Sequence, residues 1–181
     1  MPKYLALLRA INVGGNNKIK MAELKAMFES EGHKSVSTYI QSGNVIFKSR
    51  KKNIEKLEQD ISKAIYKTFG HDIAVILRTY VELNDIATKH PFDSEDEARH
   101  KLLYTFFLKE EPTEELVNKL KEKIKEWPEQ FEVIGKQAYL FAVNGYGSTK
   151  LSGSFVERQL KIKMTARNRK SVNTLLELMN D

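Results

Sequence analysis

The chain has 181 residues, enough for one sizeable domain or two small ones, and it is 41% hydrophobic and 30% charged, as folded globular proteins are. It has no cysteine, which excludes disulfides, thiolate metal sites and a cysteine nucleophile, and no apolar run reaches the roughly 20 residues needed to cross a bilayer, so we expect a cytoplasmic protein without a membrane partner. The net charge of +6 favours anionic partners, although a solvated lysine-rich surface explains it equally well.

The first part of the chain predicts the order βαββαβ. Its predicted elements are a strand in residues 3–11 (KYLALLRAI), a helix in 20–32 that ends at Gly32, a hairpin in 35–49, a helix from Asn53 to Gly70, and a strand in 71–80. We place the hairpin turn at Ser42-Gly43 or Gly43-Asn44. This order is typical of a ferredoxin-like lobe, an antiparallel sheet with two helices on one face.

The second part repeats the pattern. Its predicted elements are a strand in residues 101–109, a helix that opens at Pro112-Thr113, a hairpin in 131–143 around Gly135-Lys136, a helix in 151–160, a short strand in 162–166, and a last helix. We therefore predict an α+β protein of two related ferredoxin-like lobes that arose by internal duplication, plus a C-terminal helix. The predicted divisions are an N-terminal lobe at 1–80, a connector at 81–100 and a C-terminal lobe at 101–181.

Three stretches carry a family resemblance. They are LLRAINVGGNNKIKM (7–21), TYIQSGNVIF (38–47) and MTARNRKSVNTLLEL (164–178), and together they resemble the bacterial family called domain of unknown function 1697. The resemblance extends from the first strand to the last helix and implies a fold and a site, but no activity. The family pattern T-T-R-N-W has Ala166 in place of a Thr and Arg169 in place of the aromatic here, so a ligand-stacking role of that aromatic is not implied for this chain.

The first candidate site is the loop after the first strand, which we predict to bind an anion. Asn12, Gly14, Gly15, Lys18 and Lys20 precede a helix N-terminus, where unpaired N–H groups and the helix dipole favour negative charge. The spacing matches neither a Walker loop nor a dinucleotide fingerprint. A tight loop with capping asparagines and turning glycines is the alternative.

Arg9 and the QSGN segment are the next candidates. We place Arg9 inside the first strand on the side of Leu7 and Ile11, where it must be paired or face a wet cleft. Gln41, Ser42, Gly43 and Asn44 are candidate ligand contacts, although turn chemistry alone explains the last two. We expect this turn and the loop after the first strand to lie at opposite ends of the sheet.

The start of the last helix is the third candidate. Thr165, Arg167, Asn168 and Arg169 lie there, and cations at a helix N-terminus are disfavoured by the dipole unless an anion is bound. A solvated helix start is the alternative.

No other pattern indicates chemistry. The four histidines lack metal-ligand spacing, the acidic residues 93–97 fit a solvated loop better than a metal site, and the serines lack a base partner. The sequence therefore assigns no metal, no catalytic residue and no cofactor, and it leaves enzymatic activity and oligomeric state open. The first functional hypothesis is binding of a small phosphorylated or nucleotide-like ligand in an anion-accepting cleft. The alternatives are nucleic-acid binding and a protein-interaction role without ligand chemistry.

Overall fold

The computed structural model describes residues 1–180, and it divides into two compact units. The first unit comprises residues Met1–Leu83 and the end of the chain from Leu175, and the second unit comprises Asn84–Thr174. The elements of the first unit are β1 (Lys3–Leu8), α1 (Met21–Ser30), β2 (Lys34–Tyr39), β3 (Asn44–Lys48), α2 (Ile54–Phe69) and β4 (Val75–Thr79). Its sheet has the antiparallel order β2-β3-β1-β4.

The second unit repeats this topology. Its elements are α4 (Glu97–His100), β5 (Leu103–Leu108), α5 (Glu114–Ile124), β6 (Gln130–Ile134), β7 (Gln137–Phe141), α6 (Gly153–Leu160) and β8 (Met164–Asn168). The sheet order is β6-β7-β5-β8, which is the order of the first unit shifted by four strands. Two further helices, α3 (Tyr80–Thr88) and α7 (Arg169–Asn180), follow the last strand of each sheet, and the division between the units falls within both. The prediction of two ferredoxin-like lobes with a C-terminal helix is confirmed.

Each unit has its own apolar core between the sheet and its two helices. In the first unit Ala6, Phe47 and Leu77 from three strands pack with Phe28 of α1 and Ile61 of α2. In the second unit the equivalent core contains strand residues such as Phe106 and Leu140, and helix residues such as Leu120 and Val156. These periodic apolar residues explain why the helices are amphipathic and why both lie on one face of the sheet.

Capping hydrogen bonds form at the helix boundaries that the sequence predicts. Gly32 has a φ of +86°, Gly32 N–H donates to Glu29 O, and His33 N–H donates to Phe28 O. This pair of bonds is a Schellman motif, which ends α1 at the predicted glycine. Asn53 likewise caps α2 by accepting from Lys56 N–H at 2.9 Å.

Two local predictions were wrong. The strand predicted over 3–11 ends at Leu8, because the chain turns at Ala10 and Asn12, which both have a φ of +54°. The β2–β3 turn was predicted to have two residues, but the connection spans Ile40–Gly43 and Asn44 already belongs to β3. In contrast, the second hairpin turns at Gly135-Lys136 as predicted.

Candidate anion-binding sites in the two units

In the first unit the loop after β1 and the β2–β3 turn lie at the same end of the sheet and are bonded to each other. Asn12 Nδ2 donates to Gln41 O at 2.9 Å, and Leu8 N–H donates to Gly43 O at 2.8 Å. The expectation that these segments lie at opposite ends was wrong. Both β1 and β2 run antiparallel to β3 and hence parallel to each other, so their C-terminal ends share one edge.

The Asn12 side chain holds the base of this loop together. Besides Gln41 O, Nδ2 donates to Ile19 O at 2.9 Å, and Oδ1 accepts from Ile19 N–H at 2.9 Å. All of this hydrogen bonding is internal, so Asn12 positions the loop instead of offering a polar group to a ligand. The left-handed φ of +54° is one that asparagine tolerates better than most residues.

Gly14 and Gly15 form the tip of a tight turn. Asn16 N–H donates to Val13 O at 3.0 Å, and the two central glycines have φ of +57° and +78°. Positive φ at both central positions is the type I′ pattern, which strongly favours glycine. The glycines are therefore explained by the turn, and they lie several residues before the first turn of α1 at Met21.

Glycine is required at position 43 because the side chains of Leu8 and Ile11 lie very close to its backbone. A Cβ atom at this position would lie 2.8 Å from Leu8 Cβ and 2.8 Å from Ile11 Cδ1. Its neighbour Asn44 is fully buried and donates from Nδ2 to Tyr39 O and to Ser42 Oγ, both at 3.0 Å. The QSGN segment thus closes the hairpin over the end of β1.

The cations of this region differ in their surroundings. Arg9 lies directly after β1, not inside it, and is partly buried. Lys18 is exposed, while Lys20 is the N-cap of α1, without a side-chain capping bond, and lies 3.6 Å from Glu23. The predicted positive charge is therefore at the surface of the loop around Lys18 and Lys20.

In the second unit Arg167 is buried in β8. It is 7% exposed, and Nη1 donates to Thr165 Oγ1 and to Ala166 O, both at 2.8 Å. Burial lowers the pKa of Arg167 to about 10, so the guanidinium is still charged at neutral pH. Thr165 is 6% exposed and serves as an acceptor for this arginine.

The start of α7 is capped from within and held by a carboxylate. Asn168 Oδ1 accepts from Ser171 N–H at 2.8 Å, as an N-cap does. Arg169 Nη2 bonds Asp93 Oδ2 at 2.6 Å, and Asp93 Oδ1 also lies 3.3 Å from His100 Nε2. The cation predicted at Arg169 is therefore already paired with Asp93.

A cleft of about 230 Å³ opens beside this helix start. Its lining residues are His100, Lys101, Asn168, Arg169, Lys170 and Asn173. Lys101 and Lys170 are exposed and form no ion pair within residues 1–180, and the first turn of α7 contains no acidic residue. The cleft thus combines two unpaired ammonium groups with a helix N-terminus, an arrangement that favours an anion.

Sequence reasoning missed part of this lining. Lys101 and His100 come from the α4–β5 segment, and Asn173 lies on α7 four residues after Arg169. Asn173 and Arg169 share a helix face by their i, i+4 spacing, a signal that was available in the sequence. No sequence pattern pointed to Lys101.

Two negative findings apply to the described part of the chain. Across residues 1–180, none of the helices has both the length and the apolar composition that crossing a bilayer requires. Over the same residues, no three side chains of the metal-ligating types come together in a group that could hold an ion.

The fold defines a class of protein built from two successive ferredoxin-like units. A family model described as "Protein of unknown function (DUF1697)" matches residues 1–139, and the chain belongs to this family. The match confirms the resemblance; it includes His100 and Lys101 of the cleft and ends before Thr165 and the residues that α7 contributes. No curated protein matches the chain.

A solved structure supports the fold along the whole length. The conserved bacterial protein SP0830 from Streptococcus pneumoniae is 24% identical, with a TM-score of 0.70, and the similarity covers 100% of this chain and 99% of that one. At this identity the likeness concerns the fold alone.

Proposed function

We propose that the protein binds a small phosphorylated or nucleotide-like anion, with the cleft at the start of α7 as its site. The observation that carries the proposal is the pair of unpaired lysines, Lys101 and Lys170, on a cleft that also contains a helix N-terminus. Their ammonium groups would supply charge, and the amide of Asn173 would supply directional hydrogen bonds.

The contribution of Arg169 to anion binding depends on its ion pair with Asp93. Its bond to Asp93 means that an incoming anion either binds beside the pair or competes with the carboxylate for the guanidinium. Competition would cost part of the binding energy, because a charge-assisted bond must be replaced by another of similar strength. We therefore assign the main contribution to Lys101 and Lys170.

The loop of the first unit is a weaker candidate for ligand contact. Lys18 and Lys20 are exposed there, which supports a role in attracting anions. Of the residues predicted to join them, Asn12 and Gly43 also have structural roles, one through its bonds and the other through its packing, so we assign them less weight as ligand contacts.

A thermal-shift screen with phosphorylated compounds tests the proposal. A ligand at 100 times its dissociation constant stabilises by about 2.7 kcal/mol, which corresponds to a rise in melting temperature of roughly 5–10 °C for a protein of this size. The double variant Lys101→Ala/Lys170→Ala should lose the shift. The matched control is Lys119→Ala/Lys125→Ala, which removes two exposed lysines of the second unit outside the cleft and should keep the shift.

Two outcomes would count against the proposal. An equal loss in both double variants would indicate diffuse electrostatics and no site. A response only to DNA or RNA, with a steep dependence on salt, would favour the nucleic-acid alternative.

A further inference from the structure

A second cleft, in the first unit, is unrelated to the predicted motifs. It has a volume of about 260 Å³ and lies between the end of α1 and the segment that joins β3 to α2. Its lining includes Glu31, His33, Lys34, Arg50 and Lys51. At ~30 Å³ per water molecule the volume corresponds to roughly nine waters, enough for a phosphate group and a short attached chain.

His33 is the distinctive residue of this cleft. It is only 5% exposed, and within residues 1–180 neither ring nitrogen forms a hydrogen bond. The ring packs against two aromatic side chains that also contact each other, with centroid distances of 4.8 Å to Phe47 and 5.8 Å to Phe28. Neither ring nitrogen is among the fully buried, unbonded atoms of residues 1–180, so both keep contact with solvent, and an imidazole fixed by these rings at a cleft has nitrogens available to a ligand bound there.

The charges around the cleft are positive overall. Lys34 and Arg50 form no ion pair within the described residues, and Glu31 is the one carboxylate in the lining. Lys51 bonds Asp60 at 2.7 Å, but Asp60 also bonds Lys56 at 3.0 Å and so neutralises only one of the two lysines. Lys34 and Arg50 exceed Glu31 by one positive charge, and a second surplus charge is shared between Lys51, in the lining, and Lys56, outside it. Together they match the −1.5 to −2 charge of a phosphate monoester at neutral pH.

We infer that this cleft is a binding site for the phosphate group of a small molecule, in which His33 donates a hydrogen bond and Lys34 and Arg50 supply the charge. Burial, together with the positive charge of Lys51, lowers the pKa of His33, while Glu31 and Asp60 oppose this. The imidazole is therefore neutral in the unliganded protein at pH 7 and has an N–H available to donate. A bound dianion would favour the imidazolium and raise the pKa.

The test is an NMR titration of the full chain with inorganic phosphate and with methyl phosphate, at constant ionic strength. The His33 ring signal should move to saturation with either ligand, and the pKa of His33 should rise in the saturated protein. The ring signal of His71, which does not line the cleft, should move little. Acetate, with one negative charge and two oxygens, should bind at least tenfold more weakly.

A matched pair of variants separates a site from general attraction. Arg50→Ala should weaken phosphate binding at least tenfold. Lys52→Ala removes the same charge from the same exposed segment but outside the lining, and should change binding less than twofold. Absence of a saturable His33 shift, equal effects of the two variants, or acetate binding as tight as phosphate would each overturn the inference. Because Lys101 and Lys170 play no part in this site, failure here is distinguishable from failure of the cleft at α7.

Discussion

Arg78 and Arg167 hold the same place in the two units. Each is the fourth residue of its unit's last strand, and each donates from Nη1 to the carbonyl oxygen of the preceding residue at 2.8 Å. Both are buried, at 3% and 7% exposed, and burial lowers the pKa of both guanidinium groups. The two units therefore share a buried arginine at the same strand position and with the same backbone bond, although the other residues of the two strands differ.

Truncating the buried arginine of the second unit should destabilise the protein. Arg167→Ala leaves a cavity and removes the donor to Thr165 Oγ1 and Ala166 O, so we expect the free energy of unfolding to fall by about 2–4 kcal/mol. Urea denaturation measures the change. Lys170→Ala, an exposed neighbour, should stay within about 0.5 kcal/mol of the parent protein, and similar values for both variants would contradict the buried role.

Gly43 and Gly14 provide a matched pair of glycines with positive φ. Gly43→Ala introduces a methyl group 2.8 Å from Leu8 Cβ and should cost about 2–4 kcal/mol from strain and overpacking together. Gly14→Ala meets no atom of the described residues 1–180 within 4 Å, so the left-handed conformation alone opposes it, at about 1–2 kcal/mol. The two losses are measured by thermal and urea unfolding, and a larger loss for Gly14 would refute the packing argument.

The internal bonds of Asn12 predict a graded series. Asn12→Ala loses three hydrogen bonds and should destabilise by about 1–3 kcal/mol. Asn12→Asp should be worse near pH 7, because a carboxylate oxygen would face the carbonyl oxygens of Ile19 and Gln41. Asn16→Ala in the same loop is the control, since within residues 1–180 the bond of Asn16 is made by its backbone N–H and not by its side chain. Equal stability of all three variants would show that the side chain of Asn12 does not hold the loop.

His90 should make stability fall in acid. Burial is the main cause that lowers its pKa to about 4, against an ordinary value of 6.5, with the Arg169 charge adding to the effect and Asp93 and the bond to Tyr104 O opposing it. The bond from Phe92 N–H to Nδ1 requires that nitrogen to be unprotonated, and the neutral ring with its proton on Nε2 also accommodates Tyr104 O. Between about pH 4 and 6.5, the unfolded chain therefore binds a proton at His90 more readily than the folded protein does.

The pH window follows from the direction of this shift. The contribution of His90 is complete above about pH 6.5 and is lost as the pH falls towards 4, with a total of up to about 3 kcal/mol. Urea unfolding from pH 7 to 4.5 should show the decline, and His90→Gln should remove this part of it. An NMR titration midpoint for His90 at or above 6.5 would contradict the argument.

Local signals predicted the helix ends well, whereas the relative direction of β1 and β2 was not predicted. Gly32, Asn53 and Gly70 end or begin helices through bonds within a few residues, so sequence alone suffices there. The meeting of Asn12 with Gln41 depends on β2 running parallel to β1, which follows from topology and not from neighbouring residues. The predicted ferredoxin-like order already implies that these two segments lie at the same end of the sheet, because it makes β1 and β2 parallel.

The burial of polar residues was also not predicted from the sequence. Arg78 has no local signature, but superposing VILRT on MTARN under the predicted repeat would have paired it with Arg167. His33 gave no signal either, because its burial depends on Phe28 and Phe47 from other elements. Packing across the sheet, which is not encoded in any short window, decides both cases.

The first unit includes both ends of the described chain. Lys3 in β1 bonds Met179 O in α7 at 3.1 Å, although 176 positions separate them. A fragment of residues 1–83 would therefore lack a native element and should be less stable than the same unit in the full chain. A circular permutant that joins the end of α7 to β1 through a flexible linker, with new termini in an exposed loop of the second unit, should by contrast keep this unit intact.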